Sequence, residues 1–173
     1  MQGIVNEMDK SEKSKIKDKT NAMRIIESKK LEYKLFTCPC EEAKSADEIA
    51  VIFGKEPEQV FKTLVTKAAS GAYYVFDIPV AENLDLKKAA KAVGEKSVAM
   101  LPQKELLPLT GYVHGGCSPV GMKKQFPTIV HESAAAFDKI YISGGRIGTS
   151  ITVNPDSLLT VVRGQYADVI RHE

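Results

Sequence analysis

Between Leu31 and Thr37 the run LEYKLFT alternates apolar and polar residues with a period of two, as a strand with one buried face does. VFKTLVT (Val60–Thr66) and AYYVFDIP (Ala72–Pro79) are β-rich runs separated by Ser70-Gly71, which predicts a hairpin. Further strands are expected at Ser97–Met100 and in TIVHE, KIYISGG and TSITV. Thr20 or Asn21 can cap a helix running to about Lys30, and Ser45-Ala46-Asp47-Glu48 has capping-box spacing ahead of an apolar run that stops at Gly54. LDLKKAAKAVG (Leu84–Gly94) is a helix with a glycine stop. A short helix starts at Pro102 and ends at Leu107, and another is expected at Pro155–Val162. GYVHGGCSPVG (Gly111–Gly121) holds four Gly and one Pro and must be loop. Without steady βαβ alternation or repeats, the expected class is α+β, a mixed, largely antiparallel sheet flanked by short helices.

The first nineteen residues fit none of this. DKSEKSKIKDK is charged, of mixed sign and nearly free of apolar periodicity, so residues 1–19 are expected to form a flexible arm and residues 20–173 the folded domain. The remaining length suits one core, and 43% hydrophobic with 27% charged residues is ordinary globular composition. Aromatic residues make up 7% and Trp is absent, which argues against a base-stacking platform of the single-strand-binding kind. A formal net charge of +2 is too mild for a protein that grips nucleic acid unaided. Three Cys and no secretory signal suggest reduced thiols in the cytosol, and no apolar run is long enough to span a membrane.

Familiar catalytic machinery is missing: no P-loop, no GxGxxG after a strand and no GxSxG elbow. Cys38 and Cys40 have no second ligand pair nearby, so no metal is expected, and His114, His131 and His172 are read as surface or loop residues. Cys117 and His114 share a loop and form the one local nucleophile–base pair to consider. Two places ask for a reason. Lys62 sits within the apolar run VFKTLV, sharing a strand face with Leu64; it is either a solvated lysine or an ammonium positioned in a cleft. The Gly115-Gly116-Cys117-Ser118-Pro119 loop is either an ordinary tight turn or a backbone concavity able to hold an oxyanion.

VFKTLV, LDLKKAAKAVG, TGYVHGGCSPVGMKK, FPTIV, IYISGG and the terminal YAD, in that order, resemble the motifs of the YbaK/EbsC family, related to the editing domain of bacterial prolyl-tRNA synthetase. The resemblance covers Thr20 to the C-terminus. It implies a partly barrel-like mixed sheet and a free-standing deacylase that hydrolyses Cys-tRNA(Pro) without a cofactor. Prolyl-tRNA synthetase and the mischarged tRNA(Pro) 3′ end are the implied partners, with no role for DNA or membrane. By carry-over, Lys62 orients the aminoacylated 3′ end and the Gly115 N–H faces the scissile carbonyl. Gly116 and Ser118 of the same loop, together with Cys38 and Ser150, fall among the substrate-binding positions. Relatives often carry Tyr at Cys38, and some carry Asp at Ser150, so pocket polarity and volume differ here. Others carry Ile at Cys117, which speaks against that thiol as nucleophile.

The family chemistry implied is substrate assistance: the thiol of the esterified cysteine attacks its own carbonyl and leaves as a thiolactone, a reaction favoured by its high effective molarity. Two readings compete. One is cleavage of another mischarged tRNA, such as Ala-tRNA(Pro), by activated water; the other is a non-catalytic aminoacyl-tRNA-binding module.

Overall fold

The computed structural model describes residues 6–8, 18–37 and 56–172; the helix expected after Ser45 and the residues Cys38 and Cys40 lie outside them. The first helix, α1 (Asn21–Ser28), starts where Thr20 Oγ1 accepts from the Met23 N–H at 3.2 Å. The same hydroxyl donates to the Gly144 carbonyl at 2.6 Å, so the cap also fastens α1 to a distant strand. Ala22, Met23 and Ile26 form its buried stripe. Strand β2 (Leu35–Thr37) begins later than the alternation from Leu31 predicts, because Tyr33 turns back to donate to Glu27 of α1 at 2.7 Å.

β3 (Phe61–Ala68) and β4 (Tyr73–Pro79) form the expected hairpin, with Gly71 at φ +94° in its turn. After α2 (Leu86–Val93) come β5 (Val98–Met100) and α3 (Gln103–Thr110). α3 runs three residues past the expected end, carries Pro108 inside, and stops on Gly111 in the left-handed region. The chain then forms β6 (Thr128–His131), β7 (Ile140–Arg146), β8 (Thr149–Val153), α4 (Pro155–Val162) and β9 (Gln165–Ala167). β9 carries no alternation of its own and owes its place to parallel pairing with β6. Asn6–Met8, inside the segment expected as an arm, is a strand, β1, on the edge of β2.

The strands form two sheets, in the orders β1-β2-β8-β7 and β5-β3-β4-β6-β9, with parallel pairing where β6 meets β4 and β9. The partly barrel-like closure implied by the resemblance is corrected here. The sheets stay separate, and an isolated parallel bridge from Val60 to Tyr141 brings the start of β3 beside β7. Between them lies one apolar layer, with Phe61 and Val130 facing Leu35, Ile140, Ile142, Ile151 and Val153, sealed by Met23, Ile26, Leu158 and Val162. A second layer joins Phe76, Ile78 and Ile129 to Ala89 and Ala90 of α2. Each large side chain buried this way is worth about 1.5–3 kcal/mol.

Two motifs turn out to be structural. In LDLKK, Asp85 caps α2 by accepting from the N–H groups of Lys87 and Lys88, both at 3.0 Å. Lys88 Nζ then reaches Asp168 of YAD at 2.9 Å and the Ile170 carbonyl at 3.0 Å, pinning the chain end to α2.

Candidate functional site

Lys62 lies on β3 opposite Ile78 of β4 and is half-buried. Val60 is bridged to Tyr141, so two-residue alternation puts Lys62 on the same side as Tyr141 and Ser143 of β7. Ser143 is paired with Ser150 of β8, and Ser150 with Phe36 of β2. Lys62, Tyr141, Ser143, Ser150 and Phe36 therefore share one outer face, opposite to that of Phe61, Ile142 and Ile151. The Phe36 and Tyr141 rings stand 5.5 Å apart, and Ser150 is buried beside them. Polar Ser143 and Ser150 beside a lysine give this face hydrogen-bonding capacity amid aromatic surface.

Sequence reasoning singled out Lys62 and Ser150 and missed Ser143, Tyr141 and Phe36. The signal for two of them was present, since IYISGG contains both Tyr141 and Ser143, but nothing local says which strand lies next to β3. Ser143 also shapes its own surroundings: its hydroxyl accepts from the Gly145 N–H at 3.1 Å, where the ladder slips between Ser143 and Arg146.

The glycine loop reaches the tip of this β7–β8 hairpin. Val113 to Gly116 form a turn closed by Gly116 N–H donating to the Val113 carbonyl at 3.0 Å, with Gly115 at φ +86° at its exposed corner. The Gly116 N–H is thus used within the turn, while the Gly115 N–H makes no hydrogen bond among the described residues. Gly116 is buried, and a Cβ there would meet the backbone of Arg146 and Ile147 at 2.9 Å. Ser118 is fully buried and its Oγ accepts from Val120 N–H at 3.3 Å, a bond internal to the loop. Tyr112 ties the loop together by donating to the Val120 carbonyl at 2.6 Å. Gly116 seats the loop on the Arg146–Ile147 end of the β7–β8 hairpin, and the Val60–Tyr141 bridge sets Lys62 beside the strand that carries Ser143, itself paired with Ser150; Cys38 falls outside the described residues.

Behind the loop is a group that no local sequence signal marks. Asp77 of β4 is fully buried, accepts from Thr63 Oγ1 at 2.6 Å through one oxygen and leaves Oδ2 without a partner among the described residues. Burial pushes its pKa up to about 7, against the smaller opposing effect of the Thr63 bond. Cys117 is buried against Val65 and Val75 of the same sheet face, and burial, then the nearby Asp77, push its thiol up to about 12. Such a thiol is not ionised near neutral pH, which leaves the Cys117–His114 pair without a nucleophile. His131, expected at the surface, is instead buried on β6, and its Nδ1 accepts from the Val169 N–H at 3.3 Å. That bond to the chain end explains the correction.

Comparison with known proteins gives this arrangement its context. A family model described as the aminoacyl-tRNA editing domain matches residues 40–161. The chain is 44% identical, over 93% of its length and 99% of the relative, to a protein of Enterococcus faecalis (strain ATCC 700802 / V583) provisionally named Cys-tRNA(Pro)/Cys-tRNA(Cys) deacylase EbsC. A crystal structure provisionally described as a trans-editing enzyme for prolyl tRNA synthetase superposes with TM-score 0.77 at 26% identity, covering 88% of this chain and 96% of that one. A second, of a hypothetical protein, gives TM-score 0.79 at 24% identity over 88% of this chain and all of that one, a likeness of fold.

Proposed function

Because the chain belongs to the aminoacyl-tRNA editing family, we propose that it is a deacylase acting on free mischarged tRNA, with Cys-tRNA(Pro) as its substrate. The observation that carries this reading is that Lys62 shares the face of Ser143 and Ser150, while the Gly115 turn, whose N–H makes no hydrogen bond among the described residues, is seated on the tip of the same β7–β8 hairpin. A scissile ester carbonyl needs a donor where its oxygen becomes negative, and an outward backbone N–H at a positive-φ glycine is such a donor. Lys62 supplies a compact positive charge for the 3′-terminal ribose and its ester.

No protein nucleophile is assigned. The esterified cysteine brings its own: its sulfur bonds to the carbonyl carbon, the bond to the ribose oxygen breaks, and the thiol proton ends on that oxygen. The released thiolactone is then opened by water to cysteine. The protein contributes orientation and oxyanion stabilisation, which suffices when the attacking group is already tethered. Specificity for tRNA(Pro) comes on this reading from association with prolyl-tRNA synthetase, since one ester at a single-stranded end identifies no tRNA.

The test is deacylation of Cys-, Ala- and Pro-tRNA(Pro) by the wild type and by a variant with Cys38, Cys40 and Cys117 all changed to Ser. Cys-tRNA(Pro) should be cleaved faster than Ala-tRNA(Pro) by more than about tenfold, in both proteins, with thiolactone trapped on the way. Equal cleavage of the alanine ester would establish the activated-water route instead. Binding of all three without cleavage would establish a non-catalytic module.

A further inference from the structure

At the far end of the β3–β4 hairpin from Lys62 lies an open cavity of about 400 Å³ lined by Tyr73, Leu101, Lys104, Glu105, Pro108 and Leu109. Its size is that of a small-ligand site, and its walls are mainly apolar with one aromatic ring. Three exposed lysines converge on it. Lys104 is part of the lining, Lys67 Nζ stands 5.6 Å from the Tyr73 ring centroid, and Lys123 Nζ donates to the carbonyl of the lining residue Pro108 at 3.3 Å. Glu105 is the single acidic group in the wall. Tyr73 packs edge-on against Phe126, with ring centroids 5.5 Å apart, which orients the ring along the cavity wall. Exposed Met100 and Leu107 flank the site on β5 and α3.

We propose that this cavity takes one unpaired nucleobase of the tRNA's single-stranded 3′ end, upstream of the esterified nucleotide, with the three lysines on its flanking phosphates. The inference rests on the deacylase reading above and adds a subsite to it. An oriented ring with apolar walls suits the flat face of a base, and lysines around the rim suit the backbone that carries it. Placement agrees with this. Lys67 stands five residues beyond Lys62, an odd step that puts it on the other face of β3, the face where Val65, Val75 and Tyr73 pack with Cys117 of the glycine loop. The chain that walls the cavity at Pro108 and Leu109 continues directly into the Gly115 turn. A single base site asks for only one ring and a few lysines, within the means of a chain with few aromatics and little net positive charge.

The experiment compares Lys67→Glu/Lys104→Glu with a control, Lys87→Glu/Lys91→Glu, which reverses two exposed lysines on α2 and changes net charge equally. Each is assayed on full-length Cys-tRNA(Pro) and on cysteinyl-adenosine, which lacks upstream nucleotides. The cavity variant should raise KM for the tRNA about tenfold or more with kcat unchanged, leave cysteinyl-adenosine cleavage alone, and exceed the control's effect. Equal effects of the two variants on the tRNA, or an equal loss on both substrates, would overturn the proposal. Independently of catalysis, an uncharged oligonucleotide ending in CCA should shift the methyl resonances of Leu101 and Leu109 in the wild type. No shift there, or shifts produced only by prolyl-tRNA synthetase, would overturn it as well. A wild type that cleaves neither substrate yet shows the oligonucleotide shifts would sink the deacylase reading and leave the base site standing.

Discussion

Asp77, buried on β4 with the Thr63 hydroxyl as its donor, is one group that couples the stability of the fold to pH. Its carboxyl is raised to about 7, so from about pH 4 upward the folded chain holds a proton that the unfolded chain has released. Its contribution is complete in acid and is lost as pH rises through 7, at about 1.4 kcal/mol per unit. Burial lowers the pKa of His131, which acts with the opposite sign on the acid side, so the informative quantity is a difference between proteins. Asp77→Asn keeps an acceptor for Thr63 and removes the titration. Its melting temperature should gain on the wild type between pH 5 and pH 8, and a constant gap across that range would contradict the assignment. Lys62 makes the complementary case, a residue expected to matter for chemistry and not for stability. Lys62→Ala should lower kcat/KM by at least about a hundredfold with its melting point unchanged, and Lys62→Arg should not rescue it, because a planar fork replaces a compact ammonium poorly. Retention of half the activity in the alanine variant would remove Lys62 from the site.

At the scale of elements, the β7–β8 hairpin and the glycine loop behave as one piece, because Gly116 lets the loop backbone lie directly on Arg146 and Ile147. Gly116→Ala should cost about 1–3 kcal/mol by denaturant unfolding and reduce kcat with it, since the Gly115 corner moves when the loop lifts. What was legible in the sequence was local: the Thr20 cap, the Gly94 stop and the Ser70-Gly71 turn are chemistry of neighbouring residues. Alternation also gave the face of Lys62 correctly. Its neighbours on that face were not legible, because Ser143 and Ser150 come from strands some eighty residues on and arrive through the Val60–Tyr141 bridge. β9 escaped for a related reason, three residues whose pairing with β6 is decided by the tertiary fold.

For the whole molecule, two sheets share one apolar layer, and the chain's ends are tied to it differently. The C-terminal end is held by Lys88, Asp168 and the Leu84–Ile170 bridge. The N-terminal end contributes three residues to a sheet edge, and Lys19 pairs with Glu27 at 2.8 Å. Removing residues 1–17 keeps that ion pair and strips β1 from β2. The truncated protein should retain kcat/KM and melt a few degrees lower, at about 2–4 °C per kcal/mol for a chain of this size. A folded but inactive truncation would show that the segment serves the site.

Two hairpin turns, one at Gly71 and one at Arg146–Ile147, have opposite practical meanings for anyone attaching a probe or splicing in a sequence. At Gly71 nothing lies within 4 Å of where a side chain would begin, and the turn points into solvent at the end of a hairpin. An epitope or fluorophore grafted there should leave the fold and the cleavage of cysteinyl-adenosine intact. The Arg146–Ile147 turn looks as inviting on the surface, yet its backbone is the seat on which the Gly115–Gly116 loop rests. A graft there acts as a wedge, and a label meant as a bystander would become an inhibitor.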